Sequence, residues 1–208
     1  MSNPLKTSAE VDGWTRCSSY LEEIRNLAQC GIFNLHGHRV LIHGGEQRYL
    51  DEGGTLFQLH HVLDNQMVIG EFERVMPDGK DMQHTVRNGR PLDELIWSCA
   101  WHQSAGELLD GCRRDDVVSF TRWPNLSRIP HKGTTHRIVA LLTQRPSSIV
   151  LASRLLHVDE ADVAQVYSAG KRAGYAAPIN RQVQEPVTKT HRHQSLISRL
   201  MARLQRNG

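Results

Sequence analysis

The chain has 208 residues, which is enough for one large domain or for two small domains that each bury a core, and we expect two. Its hydrophobic fraction of 39% and its charged fraction of 23% are typical of globular proteins and exclude a disordered chain, and no apolar run approaches the roughly 20 residues of a membrane span. A net charge of +3 does not by itself imply a nucleic-acid partner.

Two features bear on the cellular compartment. The first 30 residues carry carboxylates at positions 10, 12, 22 and 23 and no apolar segment, so we predict no secretory signal peptide and expect a cytoplasmic protein. The four cysteines (Cys17, Cys30, Cys99 and Cys112) lie far apart without a CxxC pair, and a cytosolic chain keeps such thiols reduced. We therefore predict no disulfide framework.

Residues 1–18 are polar and predict a flexible arm, whereas residues 19–130 predict a sensor-like domain of mixed helices and strands. The stretch SSYLEEIRNLAQCG has apolar residues at helical spacing and predicts an amphipathic helix from Ser19 to a stop at Gly31. The next stretch, IFNLHGHRVLIHGG, alternates apolar and polar residues and predicts a strand or a hairpin.

Four further elements are predicted before residue 130. QMVIGEFERV predicts a strand, and KDMQHTVRNG predicts its hairpin partner across a Pro-Asp-Gly turn. PLDELIWSCAWHQSAGELLDGC predicts a second helix with Pro91 at its first position. DVVSFTRWP predicts a strand that Pro124 interrupts. These elements indicate an α+β fold class, with a domain boundary in the loop near residue 130.

Residues 131–178 predict three short helices in close succession. The first ends at Gln144, Ser148 caps the second, and Asp159 caps the third, which stops at Gly174. The spacing between these helices is tight, so we expect them to form one small unit.

The stretch SSIVLASRLLHVDEADVAQVYSAGKRAGYA resembles the helix-turn-helix superfamily in its winged form, over residues 136–180. In this likeness Ala152 packs inside the second helix, Val158 closes the turn, and Val163 and Val166 anchor the third helix. The resemblance implies a compact binding unit, and many such units read DNA with the start of the third helix. No wing is predicted, because PINRQVQEP lacks two alternating strands around a Gly turn.

The start of the third helix is acidic, which disfavours duplex DNA as its partner. Non-specific DNA affinity comes from Lys and Arg side chains that neutralise phosphates, and carboxylates oppose it. We expect these side chains to face outward and to contact a protein instead. The predicted partner-binding residues of this helix are Glu160, Asp162, Gln165, Lys171 and Arg172.

Two other groups of residues suggest binding. Basic side chains near the predicted boundary, beside Trp123, could hold an acidic partner or a nucleotide phosphate. The favoured alternative is that they surround a tryptophan packed between domains. They are Arg122, Arg128, Lys132 and Arg137. His36 and His38 share one face of a predicted strand and, with His60, form a possible metal site whose alternative is solvent-facing histidines.

The C-terminal region is predicted to comprise a linker over residues 179–194 and a basic amphipathic helix over residues 195–206. Leu196 and Leu200 lie on its apolar stripe and Arg203 on its polar face. Such a helix fills a groove on a partner protein or on a second copy, packs on its own domain, or lies on a membrane surface. A protein groove is the favoured interpretation.

These features favour a non-enzymatic, bacterial-type cytoplasmic regulatory or adaptor protein. It would act through protein–protein contacts of the helix-turn-helix-like unit and of the C-terminal helix. The first alternative is a DNA-binding transcriptional regulator, and the second is a histidine-rich metalloprotein or enzyme. The sequence has no GxSxG, HExxH or GxxxxGK[ST] motif, and we predict no catalytic residue and no cofactor.

Overall fold

The computed structural model describes residues 17–35, 38–52 and 72–181. Six helices lie within these residues: α1 (Cys17–Asn26), α2 (Lys80–Asn88), α3 (Leu92–Ser104), α4 (Thr135–Gln144), α5 (Ile149–Leu156) and α6 (Glu160–Arg172). The same residues form eight strands: β1 (Cys30–Leu35), β2 (His38–His43), β3 (Arg48–Asp51), β4 (Glu73–Arg74), β5 (Arg90–Pro91), β6 (Val117–Phe120), β7 (Ser147–Ser148) and β8 (Ala176–Pro178). Helices combined with antiparallel sheets confirm the predicted α+β fold class.

The first sheet has the strand order β4-β1-β2-β3-β5, and apolar side chains pack on both of its faces. The predicted hairpin is confirmed, since β1 pairs with β2 and places Phe33 opposite Val40 and Ile32 opposite Leu41. Successive side chains of a strand point to opposite faces. Phe33 and Val40 accordingly belong to the large core cluster shared with α1 and α3, whereas Ile32 and Leu41 pack with Met82 of α2.

The stretch KDMQHTVRNG forms α2, so the prediction of a hairpin strand is wrong there. Met82 and Thr85 are buried three residues apart, which is the spacing of one helix face. This face covers the side of the first sheet that would otherwise be exposed. Gly89 ends the helix where the chain is crowded, because a Cβ there would meet the carbonyl oxygens of Thr85 and Tyr49.

The two predicted N-terminal helices exist, with shifted ends. α1 begins at Cys17 rather than at Ser19, and it ends before Gly31, which lies in β1. The chain leaves α1 through Ala28, whose φ of 51° lies in the left-handed region. α3 begins directly after Pro91, which is its N-cap and thus one residue from the predicted position. It ends at Ser104 rather than near Cys112, because the chain turns out of the helix at Ala105, whose φ of 45° lies in the left-handed region.

The second sheet has the strand order β7-β6-β8, so its central strand precedes the three helices α4, α5 and α6. These helices lie where the sequence predicts them, and the Ser148 hydroxyl accepts a hydrogen bond from the Leu151 N–H at 3.3 Å as an N-cap. Asp159 is the N-cap of α6, but its side chain makes no capping hydrogen bond. The sequence does not predict β8, because the stretch AAP carries no strand pattern and its pairing with β6 creates the strand.

α6 packs against α3, α4, α5 and β8. All its residues from Val163 to Gly170 are buried. One cluster of buried apolar side chains includes Leu21 of α1, Trp97 of α3 and Val166 of α6, so this cluster extends past the predicted boundary near residue 130. The division into separate domains stays a prediction. Of the helices in the described ranges, none combines the length and the apolar character needed to cross a membrane.

Candidate functional site: a cationic cleft

The two acidic residues among the predicted partner-binding residues of α6 form ion pairs within the protein. Glu160 Oε2 lies 2.5 Å from Nη2 of Arg114. Asp162 Oδ1 lies 2.7 Å from Nζ of Lys132, and its Oδ2 accepts a hydrogen bond from the Thr134 hydroxyl at 3.0 Å. Glu160 and Asp162 are therefore each paired with a cation, whereas Asp159 is exposed and forms no ion pair among the described residues. The repulsion of polyanions that the sequence predicts for this helix is thus reduced at two of its three leading carboxylates.

The third predicted residue, Gln165, does not face outward, so this expectation is wrong. Its side chain is 5% exposed, and its Nε2 donates to the carbonyl oxygen of Trp101 at 2.9 Å. The reason is that α3 packs over the side of α6 that carries Gln165, whereas helical spacing alone predicts that this side is exposed to solvent. Because the middle of α6 is buried, only its two ends can contact a partner without unpacking the helix.

The two cations at the end of α6 are also engaged. Lys171 Nζ donates to the carbonyl oxygen of Gly111. Arg172 Nη1 lies 2.9 Å from Oε2 of Glu22 in α1, and its Nη2 donates to the carbonyl oxygen of Asp110 at 2.9 Å. Both side chains therefore connect α6 to neighbouring parts of the fold.

Three of the four predicted anion-binding side chains are used in the same way. Lys132 is paired with the α6 carboxylate described above. Arg137 donates to the carbonyl oxygen of the last residue of α5 at 2.6 Å. Arg122 Nη2 lies 2.7 Å from Asp93 Oδ2, and its guanidinium carbon lies 3.9 Å from the ring centroid of Tyr175. Each of these three cations therefore already has an acceptor within the protein, and none of them lines the cleft described next.

The fourth predicted residue, Arg128, lines a cleft of about 730 Å³. The cleft lies between the end of α2, strands β3 and β5, and the loop that connects β6 to α4. Its basic side chains are Arg48, Arg90, Arg128 and His131, and its polar side chains are Asn88 and Ser127. None of the described residues that line it is acidic. We call this feature the cationic cleft.

Arg90 is held in place by a buried carboxylate. Its Nε and Nη2 donate to Oε2 of Glu94 at 3.2 and 2.9 Å, and the Glu94 side chain is 3% exposed. Burial raises the pKa of Glu94, and the guanidiniums of Arg90 and Arg128 oppose this rise without cancelling it. The pair occupies one edge of the Arg90 guanidinium, and Nη1 has no hydrogen-bond partner among the described residues.

Arg48 and Arg128 carry the exposed positive charge of the cleft. Arg48 Nη1 donates to the carbonyl oxygen of Gly89 at 3.2 Å, which orients the side chain without neutralising it. Neither arginine forms an ion pair with any carboxylate in the described part of the chain. Since guanidinium forks match carboxylate and phosphate oxygens, this arrangement is suited to an anionic ligand.

The loop that carries Arg128 is fixed to the core. Leu126 and Ile129 on either side of it are buried, and the indole Nε1 of Trp97 donates to the carbonyl oxygen of Pro130 at 3.0 Å. His131 Nδ1 lies 3.0 Å from the carbonyl oxygen of Ile129. Because a carbonyl oxygen only accepts, this nitrogen carries the hydrogen and Nε2 remains for other contacts. The cleft is therefore preorganised on this side.

Most of the remaining predicted site residues lie outside the described part of the chain. His36 and His60 lie outside the described residues, as do Leu196, Leu200 and Arg203, and the side chain of His38 is not described. Within residues 17–35, 38–52 and 72–181 there is no group of three or more His, Cys, Asp or Glu side chains that could hold a metal ion. The histidine site and the C-terminal helix stay predictions.

Comparison of the chain with protein-family models, with curated proteins and with solved structures finds no match. The resemblance to the helix-turn-helix superfamily consequently stays a prediction. A fold alone does not specify a function, which depends on the chemistry of the side chains at a site.

The sequence-based prediction includes Arg128 but misses Arg48 and Arg90. One local signal was available for Arg90, since Glu94 follows it at the i, i+4 spacing of an ion pair near a helix start. Arg48 carries no such signal. It reaches the cleft because β3 pairs with β5, which places Arg48 opposite Pro91 in the sheet.

Proposed function

We propose that the protein is a non-enzymatic regulatory or adaptor protein that acts in the cytoplasm by binding another protein, and that the cationic cleft receives an anionic segment of that partner. One observation carries the proposal. Arg48, Arg90 and Arg128 converge on an open cleft whose described lining contains no acidic side chain. Arg90 is paired with Glu94, but Arg48 and Arg128 have no carboxylate partner among the described residues. A concave surface with this excess of guanidiniums favours binding of anionic groups and steers their approach.

The polar groups of the cleft support binding rather than chemistry. The guanidiniums are hydrogen-bond donors that can orient a ligand, whereas the amide nitrogen of Asn88 is engaged with His84 and the ring of His131 is fixed by a backbone carbonyl. The volume of about 730 Å³ lies within the range of about 300–1,000 Å³ that is usual for ligand sites, so it accommodates several residues of a docked segment.

Retention of partners from a lysate of the producing cells tests this function. The bait is the full chain, compared with the double variant Arg48→Glu/Arg128→Glu. The matched control is Arg145→Glu/Arg154→Glu, which reverses two exposed arginines outside the cleft. We expect a polypeptide that the wild type and the control retain after nuclease treatment and that the cleft variant retains at least tenfold less. Equal retention by the cleft variant, or loss of all binding on nuclease treatment, would contradict the proposal.

A further inference from the structure

We propose that the chemical group recognised by the cationic cleft is a phosphate monoester. The inference rests on the proposed function, in which an anionic segment enters the cleft, and it specifies the anion. The ester could be a phosphorylated serine or threonine of a partner protein or a small phosphorylated molecule. The two sources present the same group to the arginines.

The charge of the cleft matches a dianion. Arg48, Arg90 and Arg128 supply three positive charges, and the Glu94 carboxylate paired with Arg90 removes one, which leaves a formal charge of +2. A phosphate monoester carries a charge of about −1.5 to −2 near pH 7. A single carboxylate would leave one positive charge uncompensated, and a neutral hydroxyl would leave both.

The directions of the guanidiniums also favour a phosphate. Arg48 comes from β3, Arg90 from β5 and Arg128 from the loop after β6, so the donors approach from separate elements. A phosphate monoester has three terminal oxygens that accept hydrogen bonds from several directions. The two oxygens of a carboxylate lie in one plane and suit a single guanidinium fork.

Two of the three arginines are oriented before any ligand binds. The Glu94 carboxylate holds Arg90 by two N–H groups, and the Gly89 carbonyl holds Arg48 by one. Because each contact uses only part of the guanidinium, the remaining N–H groups of both arginines are still available to a ligand. Preorganised donors lose less conformational freedom on binding than free side chains do.

Isothermal titration calorimetry of the full chain against three matched peptides tests the inference. The peptides share one sequence and carry phosphoserine, glutamate or serine at the centre. We expect the phosphoserine peptide to bind, the glutamate peptide to bind at least tenfold more weakly, and the serine peptide to show no binding. Arg128→Ala should weaken phosphoserine-peptide binding at least tenfold and Arg128→Lys less, whereas Arg154→Ala, an exposed arginine of α5, should leave it unchanged.

Titration of O-phosphoserine and of inorganic phosphate distinguishes the two sources. Tighter binding of the peptide than of O-phosphoserine supports a phosphorylated protein, and equal binding supports a small ester. Equal affinity for the glutamate and phosphoserine peptides would overturn the inference, as would binding that is insensitive to Arg128→Ala. If neither phosphate compound binds but partner retention still depends on the cleft, the inference fails and the proposed function stands. If the phosphopeptide binds and retention does not depend on the cleft, the proposed function fails instead.

Discussion

Two arginine-containing sites of this protein differ in where the opposite charge comes from. At the first site, Arg181 Nε lies 2.6 Å from Oδ1 of Asp116, a residue that is 1% exposed. The hydroxyl of Tyr167 and the backbone N–H of Arg113 donate to Oδ2 of the same carboxylate at 2.5 and 2.8 Å. Every donor at this site therefore has its acceptor within the protein. At the second site, the cationic cleft, Arg48 and Arg128 have no described carboxylate partner.

This difference indicates a structural role for the Asp116–Arg181 site and a binding role for the cationic cleft. Burial would raise the pKa of Asp116, but the hydrogen bonds from Arg181 and Tyr167 outweigh it, so the pKa of Asp116 lies below its ordinary value. The folded state thus stabilises this charge and depends on it. In the cleft, Arg48 and Arg128 contribute no such pairing to the fold, and we expect their charge to be compensated only when a ligand is bound.

The largest expected effect comes from removing the carboxylate of the first site. Asp116→Ala leaves Arg181 and the Tyr167 hydroxyl without their acceptor, and breaking a buried pair in this way costs about 3–5 kcal/mol. Urea denaturation measures the free energy of unfolding. The neighbouring exposed residue provides the control, since Asp115→Ala should cost less than about 0.5 kcal/mol. Similar losses for the two variants would argue against a structural role for the Asp116 network.

A smaller loss of stability, with a loss of binding, is expected where the cleft is attached to the core. Trp97→Phe removes the indole N–H that donates to Pro130 and leaves that carbonyl without its donor, at a cost of about 1–3 kcal/mol. Because the Pro130 contact holds the loop that carries Arg128, phosphoserine-peptide affinity should fall as well.

Trp101→Phe is the matched control for this prediction. Trp101 stacks on Trp97, with ring centroids 6.2 Å apart, but it does not form the hydrogen bond to Pro130. We expect this variant to lose stability without losing peptide affinity in calorimetry. Equal affinities of the two variants for the peptide would mean that the Pro130 contact does not position the loop.

The next smaller effect is a pH dependence of stability that comes from the ion pair between Asp116 and Arg181. A depressed carboxyl pKa contributes stability that is fully present above the pKa of an unfolded aspartate, about 3.9, and is lost as the pH falls through the folded-state pKa of Asp116. The difference in unfolding free energy between the wild type and Asp116→Asn should therefore shrink below about pH 4. A difference that stays constant on acidification would show that ionisation of Asp116 does not stabilise the fold.

Local sequence patterns predict much of this fold. The alternation in IFNLHGHRVLIHGG predicts the β1–β2 hairpin, and Ser148 and Gly174 mark helix ends that the structure contains. The error at α2 has a tertiary cause, because Met82 and Thr85 form a helix face that matters only once the first sheet needs cover. Short segments of this kind satisfy both helix and strand patterns.

The candidate site was only partly predictable, for reasons of distance along the chain. Arg128 lies in a basic stretch that the sequence marks, whereas Arg48 is 80 residues away and joins it through the pairing of β3 with β5. Gln165 illustrates the opposite error, because the sequence predicts an exposed side chain that is in fact buried. A polar side chain on a helix is expected to be exposed unless the position of the neighbouring helix is known. In both cases the position of the side chain depends on contacts between elements that are distant in the sequence. Local sequence patterns do not show these contacts.

The smallest expected effect is that replacing Arg48 and Arg128 leaves the stability unchanged. This prediction tests most directly the central claim that the charge of these two arginines is compensated by a ligand and not by the fold. The measurement is the thermal unfolding of the wild type and of Arg48→Ala/Arg128→Ala, each in phosphate-free buffer and with saturating inorganic phosphate. We predict equal melting temperatures without phosphate, and a phosphate-induced rise in the wild type alone, equivalent to about 2.7 kcal/mol at a hundredfold excess over Kd. Any general salt effect on stability would appear equally in both proteins. A double variant that is destabilised without phosphate, or that phosphate stabilises as much as the wild type, would contradict the account.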